Sequence, residues 1–291
     1  MKQKIIGAVL VVTAIIGIIL IAYPFVSIFI NNYNSNQVVV EYDEKVDKLN
    51  NNEIKKEEEK AENYNKRLTS VEIEDPLDKQ KQKKSSNTKK SEYEIGDQEG
   101  YIVIPTINLT LPIYEGVTES VLTQGVGHLP NTSMPFGGKG MHCVLTGHTG
   151  LENTEIFDNI DKLKLDDTFY IRFLNKTIEY KVDNINIVLP DDINRYISSN
   201  IESDYCTLVT CTPRTINSHR LLVRGHRVKY DGKDIKKIAK EKKQTVKNTS
   251  YTAIIAACVI SLIIITGIVL SIIKKRRRKL GKSKKGKTEP E

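Results

Sequence analysis

Two uncharged apolar runs, one near each end of the chain, constrain what it can fold into more than any other feature. Ile5 to Ile30 is 26 residues without a charged side chain, and as a helix it spans roughly 39 Å, enough to cross a bilayer. A cleaved secretory signal has an apolar region of only about 7–15 residues that ends at a small-x-small site. Tyr23-Pro24-Phe25 offers no such site, so an uncleaved signal anchor is expected. Tyr251 to Ile273 adds 23 uncharged residues, followed at once by Lys274-Lys275-Arg276-Arg277-Arg278-Lys279. That is a stop-transfer pattern.

The charge distribution gives the orientation. Residues 274–291 hold ten Lys/Arg and two Asp/Glu, a net of +8, which equals the net charge of all 291 residues. The rest of the chain is formally neutral. A basic excess confined to the flank of a membrane span attracts anionic lipid and fixes topology, which argues against nucleic acid as a partner and for membrane lipid. Lys2 and Lys4 precede the first span, and no Lys or Arg follows it until Lys45. The positive-inside rule then places residues 1–4 and the basic tail 274–291 in the cytoplasm, with 31–250 exported between spans 5–30 and 251–273.

Within the exported part, residues 31–70 are dense in Lys, Glu and Asn and read as a helical polar stalk; a charged docking surface is the other reading. Residues 71–95 contain one apolar island around Asp75-Pro76-Leu77 ahead of a stretch, 81–92, with no apolar residue. They read as a docking segment followed by a flexible loop. From 96 to 230 the chain breaks into short runs rich in Val, Ile, Thr and Tyr, punctuated by Pro and Gly. These are strands. Helical intervals are expected only at Val117–Gly125, Thr154–Leu163 and Asp191–Ser199. With so few helices, the fold class is mostly β, a closed barrel in preference to parallel α/β. Residues 231–250 are a polar linker.

Three of the four cysteines, Cys143, Cys206 and Cys211, lie in the exported part. Three is an awkward number for a disulfide framework, so at least one thiol is left over in an oxidising compartment. Cys211 ends the strand Thr207-Leu208-Val209-Thr210-Cys211 and is followed by Thr212-Pro213. By alternation Cys211, Val209 and Thr207 share one face, whereas Thr210, Leu208 and Cys206 share the other. A thiol becomes a nucleophile when an imidazole, a guanidinium or a helix N-terminus favours the thiolate; otherwise a buried cysteine is an inert core residue. His148, bracketed by Gly147 and Gly150 at a strand end, is the candidate imidazole, and His142 reads as structural. Arg220 opens a strand nine residues after Cys211 and could hold developing negative charge. Arg224 and Arg227 are rivals on spacing alone. No HExxH, EF-hand loop, P-loop, GxGxxG or CxxC pair occurs, so neither a cofactor nor a metal is expected.

Leu145-Thr146-Gly147-His148, Thr207-Leu208-Val209-Thr210-Cys211-Thr212-Pro213 and Ser218-His219-Arg220-Leu221-Leu222-Val223-Arg224-Gly225 together resemble class C, pilin-polymerising sortases. The similarity covers about residues 70–230. It implies an eight-stranded β-barrel and a cysteine transpeptidase that cleaves LPXTG-like sorting signals at the Thr–Gly bond, with Cys211 as nucleophile, His148 as general acid/base and Arg220 on substrate and oxyanion. The acceptor it implies is a pilin lysine; a peptidoglycan amine is the alternative, and a non-catalytic membrane-tethered binding module is the alternative of another class. It further implies the two-pass cell membrane of a Gram-positive bacterium, and pilin or surface proteins bearing the signal as partners. Asp75, Pro76 and Leu77 are similar to the lid of that class, although Leu77 stands where an aromatic residue is usual. Thr149 and Arg214 also depart from the class pattern, where Arg and an aromatic are common.

Overall fold

The structure, a computed structural model, describes residues 2–68, 75–78, 98–152, 154–197, 203–241 and 267. The chain divides into two compact units, Met1–Lys243 and Gln244–Glu291. Of the second unit only Gly267 is among the described residues, so the expected span 251–273 and the basic tail lie outside them, as do residues 71–74 and 79–95.

Eight strands make the first unit: β1 (Gln98–Ile104), β2 (Leu109–Glu115), β3 (Val126–His128), β4 (His142–Thr146), β5 (Thr168–Phe173), β6 (Lys176–Val188), β7 (Tyr205–Thr212) and β8 (His219–Val228). They close into a barrel in the order β1-β2-β3-β4-β7-β8-β6-β5. β2/β3 and β4/β7 are parallel pairs, and the others are antiparallel. The period-2 alternation sorts side chains into layers. Ile102, Ile104, Leu145, Cys206, Leu208, Leu221 and Val223 fill the barrel interior. Tyr101, Val103, Val144, Val209 and Leu222, their sequence neighbours, point outward into two further apolar layers.

The helices cover those outer layers. α1 (Lys2–Val46) contains the whole first apolar run. Many side chains of its first 30 residues lie outside the description, and among the described residues no helix is long and apolar enough to cross a membrane. α2 (Asn51–Arg67) starts with a complete capping box: the Asn50 carboxamide oxygen accepts from Asn52 and Glu53 N–H, and the Glu53 carboxylate accepts from Asn50 N–H. That satisfies donors a helix start otherwise leaves orphaned.

Of residues 31–68, those up to Val46 and from Asn51 to Arg67 are helical, and part of this helical surface is docked on the barrel. Val39, Tyr42 and Val46 of α1 and Ala61 of α2 are buried against Tyr101, Val103, Tyr170 and Phe173. Burial of one such aliphatic side chain is worth about 1.5–3 kcal/mol, enough to outweigh solvation of the charged neighbours. Val39, Tyr42 and Val46, spaced three and four residues apart, form the stripe that docks. The Tyr42 hydroxyl donates to Glu99 O at 2.9 Å and accepts from Leu174 N–H at 2.8 Å. Buried Asp43 accepts from the Tyr101 hydroxyl at 2.9 Å and lies near Arg172 and Lys236. Lys236 also reaches Asp47 at 2.6 Å, so α1 is tied both to the barrel and to the helical residues 235–241. This helix stands within the expected polar linker.

The remaining helical intervals are shorter than expected. α3 is Glu119–Leu122 and α4 is Ile193–Ile197, whereas Thr154–Leu163 yields only a 3₁₀ turn at Ile160–Lys162. Asp158 explains the last case. Its carboxylate accepts from Gly150 and Ile156 N–H and so stabilises a loop where a helix start was expected.

A buried ion pair makes this fold pH-dependent. His128 Nδ1 lies 3.0 Å from Glu99 Oε2, and its Nε2 lies 3.3 Å from Thr132 O. Burial alone lowers the imidazole pKa, but the Glu99 carboxylate more than reverses this and holds it at about 9. An unfolded His titrates near 6.5, so the pair contributes about 3 kcal/mol that is fully present below pH ~6.5 and is lost as pH rises through ~9. Thermal unfolding of the full chain in detergent should therefore show a falling Tm from pH 7 to 10. A His128→Gln variant should lack that component; an equal slope in both proteins refutes the assignment.

Candidate active site

β7 lies between β4 and β8, and this placement assembles the site. Cys211 is paired in register with Arg220 across β7/β8. On the other side, Thr146 is paired with Val209 in the parallel β4/β7 ladder, and Gly147 N–H donates to Val209 O while the Thr210 hydroxyl donates to Gly147 O. Continuing that register by two residues brings His148 alongside Cys211. Thiol, imidazole and guanidinium thus stand at the same ends of three adjacent strands. Val144, Val209 and Leu222, two residues from Thr146, Cys211 and Arg220, lie in one outer layer, so strand alternation turns all three groups to that face. Cys211 is half-buried there and packs on the layer.

His148 is held at its backbone and at its ring. Its carbonyl accepts from Phe157 N–H at 2.9 Å. Gly147 permits this approach: a Cβ there would sit 2.7 Å from Ile156 Cγ2 and 2.9 Å from the Phe157 ring. The His148 Nε2 lies 3.3 Å from the Glu119 carboxylate, in the first turn of α3. Sequence reasoning passed over Glu119. Its only local signal is the position after Thr118, whose hydroxyl caps α3; the approach to His148 is tertiary. Asp158 was passed over too, although it binds Gly150 N–H and meets Arg214 at 2.5 Å, ordering the chain that follows His148. Arg214, one of the departures from the class pattern, is thereby engaged in this loop.

Arg220 is 5 % exposed, and every arm of its guanidinium is engaged. Nε donates to Asp75 Oδ1 at 2.9 Å, one terminal nitrogen donates to Asp75 Oδ2 at 2.6 Å, and the other donates to Asn217 O and His219 O. Burial works against its charge, but the bidentate carboxylate more than offsets this and its pKa is raised. Asp75, Pro76 and Leu77 are all buried. Leu77 enters the same apolar layer on which Cys211 packs, and its N–H is fixed by Asp75 Oδ1 at 3.2 Å. The island found in the sequence therefore sits over the site as a two-point clamp, one ionic and one apolar.

The rivals are accounted for elsewhere. Arg224 pairs with Asp183 and lies over the Tyr205 ring, and Arg227 pairs with Asp204. His142 Nε2 is 2.7 Å from the Thr207 hydroxyl, and burial, aided by the charge on Arg224, pushes its pKa down to about 4. Cys143 and Cys206 face each other inside the barrel, where burial pushes the Cys143 thiol up and away from reactivity.

A half-buried cysteine flanked by an imidazole and a guanidinium, with Leu77 in the same apolar layer, has the parts for acyl transfer through a thioester. Residues 102–228 match the sortase domain model. The structure resembles sortase C-1 of Streptococcus pneumoniae with 37 % identity and a TM-score of 0.61, covering 67 % of this chain and 99 % of that one. The chain belongs to the sortase family.

A second solved structure is also named a sortase C. The pilus-related sortase C of Group B Streptococcus shows 40 % identity at a TM-score of 0.57, covering 64 % of this sortase and 95 % of that chain. Sortase A of Bacillus anthracis is 31 % identical over 43 % of this sortase and 58 % of its own length. The chain thus spans less than two thirds of the first curated relatives that it matches, 58 % and 42 %. The class C likeness read from the motifs agrees with these structural neighbours, as does the closed eight-stranded barrel.

Proposed function

We propose that this sortase is a cysteine transpeptidase acting on LPXTG-like sorting signals, with Cys211, His148 and Arg220 as its working groups. The observation that carries the reading is the Cys211–Arg220 register pair with His148 on the neighbouring strand, all on one outer face. The Cys211 thiolate attacks the threonine carbonyl carbon, and the Thr–Gly C–N bond breaks as His148 protonates the departing amine. Arg220 donates to the substrate and to the tetrahedral oxyanion. An incoming amine then attacks the thioester and gives its proton to His148. The C–S bond breaks, and the thiolate returns. Glu119 orients the His148 ring.

The acceptor we propose is a lysine amine of a pilin subunit. The likeness to a pilus-related sortase C and the Asp75–Leu77 clamp support this over a peptidoglycan amine. We further propose that residues 5–30 and 251–273 cross the cell membrane with both termini cytoplasmic, which the uncharged lengths and the +8 tail support.

The test is to incubate the protein with an LPXTG-type peptide, together with a lysine-bearing pilin segment or a peptidoglycan stem peptide, and to map the products by mass. The expected result is an acyl adduct on the peptide containing Cys211 and an isopeptide product with the pilin segment. Product with the stem peptide alone would move the acceptor to the cell wall. Absence of any adduct, even with Asp75 and Leu77 replaced, would return the domain to a binding role.

A further inference from the structure

We infer that the active-site end of the barrel rests on the membrane surface, with Ile187, Leu189, Tyr196 and Ile216 as its lipid-facing contacts. The inference rests on the proposed crossing by residues 5–30 and adds a lipid-binding surface to the domain.

Two independent observations lead there. The first is the path of α1. Its Tyr42–Val46 end packs beside Glu99, Tyr101 and Leu174, at the start of β1 and the end of β5. Going toward its N-terminus, Val38 reaches the outer layer that contains Leu77 and Cys211. The Ser35 hydroxyl then contacts Gln124 O, just before β3 begins. The start of β3 lies at the same end of the barrel as the ends of β4 and β7 and the start of β8, because Gly127 pairs with Thr146 and Cys211 with Arg220. α1 therefore runs along the barrel toward the active-site end and leaves it there as a continuous helix. The apolar run ends at Ile30, eight residues before Val38. At 1.5 Å per residue, the bilayer boundary is only about 12 Å along the helix from the layer that holds Cys211.

The second observation is what this end presents to its surroundings. From Asn184 to Val188, β6 pairs with β8 alone among the described strands, so it projects past β5. On the face it shares with Leu221, where β5 no longer covers it, this extension is apolar: Ile187 is 64 % exposed and Leu189, just beyond the strand, is 53 % exposed. Ile216, in the β7–β8 loop five residues from Cys211, is 71 % exposed, and Tyr196 of α4 is 42 % exposed. Scattered exposed aliphatic residues are ordinary on soluble proteins, but several at the end of the barrel from which an anchoring helix departs have the composition of an interfacial contact. Tyrosine suits the headgroup level. The occupant is the bilayer to which the chain is already tethered, so the contact adds no translational cost beyond that of the anchor. It would hold the thiol close to the point where a membrane-retained polypeptide emerges from the lipid.

The chain has no tryptophan, so one introduced residue is a clean reporter. The full-length protein would be reconstituted in phosphatidylcholine vesicles as Ile216→Trp, Ile187→Trp, Ile16→Trp and Asn175→Trp, and emission compared with and without brominated acyl chains. Asn175 lies in the β5–β6 turn at the opposite end of the barrel and is exposed. Ile16→Trp should be strongly quenched, which reports the crossing itself. Ile216→Trp and Ile187→Trp should emit at shorter wavelength than Asn175→Trp and be quenched by bromines near the headgroups, with Asn175→Trp unaffected. Quenching of Ile16→Trp without quenching at 187 or 216 overturns the surface contact alone. No quenching of Ile16→Trp removes both the crossing and the contact. A response of Ile216→Trp to an LPXTG-type peptide in detergent, with no quenching in vesicles, would assign these residues to the substrate and overturn the lipid contact.

Discussion

Cys211→Ala is expected to abolish both the acyl adduct and the isopeptide product, a loss on the order of 10⁴-fold or more. No other group in the site can form the covalent intermediate. Among the described residues, the other two cysteines cannot substitute. Cys143 and Cys206 are 1 % and 0 % exposed and point into the barrel, on the opposite side of the sheet from His148 and Arg220. The substitution removes one sulfur atom from a half-buried position at a strand end, so it should change stability by only about 1 kcal/mol. Activity loss with a near-unchanged Tm is the expected pair of readings. Product formation retained in the variant would sink the nucleophile assignment whatever the fold.

The second large effect concerns the clamp. The Asp75–Arg220 pair is bidentate, buried and charge-assisted, and such hydrogen bonds contribute about 1.5–3 kcal/mol net. Asp75→Ala should therefore raise the open population of the 75–78 segment about ten- to a hundredfold. Leu77→Ala removes the apolar half and should act in the same direction with a similar size. The rate of Cys211 alkylation by iodoacetamide, followed by the mass of the peptide that contains Cys211, reads the opening directly, and Cys143 and Cys206 are sealed in the barrel. An unchanged alkylation rate in the double variant would mean that the segment does not control access to the thiol.

Most of the site was legible along the chain, because its logic is local. Period-2 alternation in Thr207–Cys211 was enough to place Cys211 opposite Cys206, and it is so placed. The nine-residue spacing to Arg220 fits the tight β7–β8 return that pairs them. The apolar island at Asp75–Leu77 stood out against its polar flanks and proved to be docked. What stayed hidden depends on contacts distant in sequence. Glu119 is one acidic residue among 36 Asp and Glu until α3 carries it to His148. The docking of α1 and α2 was masked by their Lys and Glu content, since a stripe of three or four apolar positions is sufficient once Tyr101 and Phe173 supply a matching surface. The choice of Arg220 over Arg224 and Arg227 needed the partners Asp183 and Asp204, which no spacing reveals.

The clamp has a kinetic consequence. Asp75 occupies the guanidinium that, under the proposed assignment, holds the sorting signal, so the 75–78 segment is a tethered competitive inhibitor of its own enzyme. Its local concentration is set by the chain and not by expression level, and no dilution weakens it. The apparent affinity for a sorting signal is the intrinsic value divided by the open fraction, so variants at Asp75 or Leu77 should lower KM while leaving kcat nearly constant. Throughput at low substrate would then be the intrinsic rate at Cys211 multiplied by the open fraction, so any shift in the clamp equilibrium would pass undiminished into the rate.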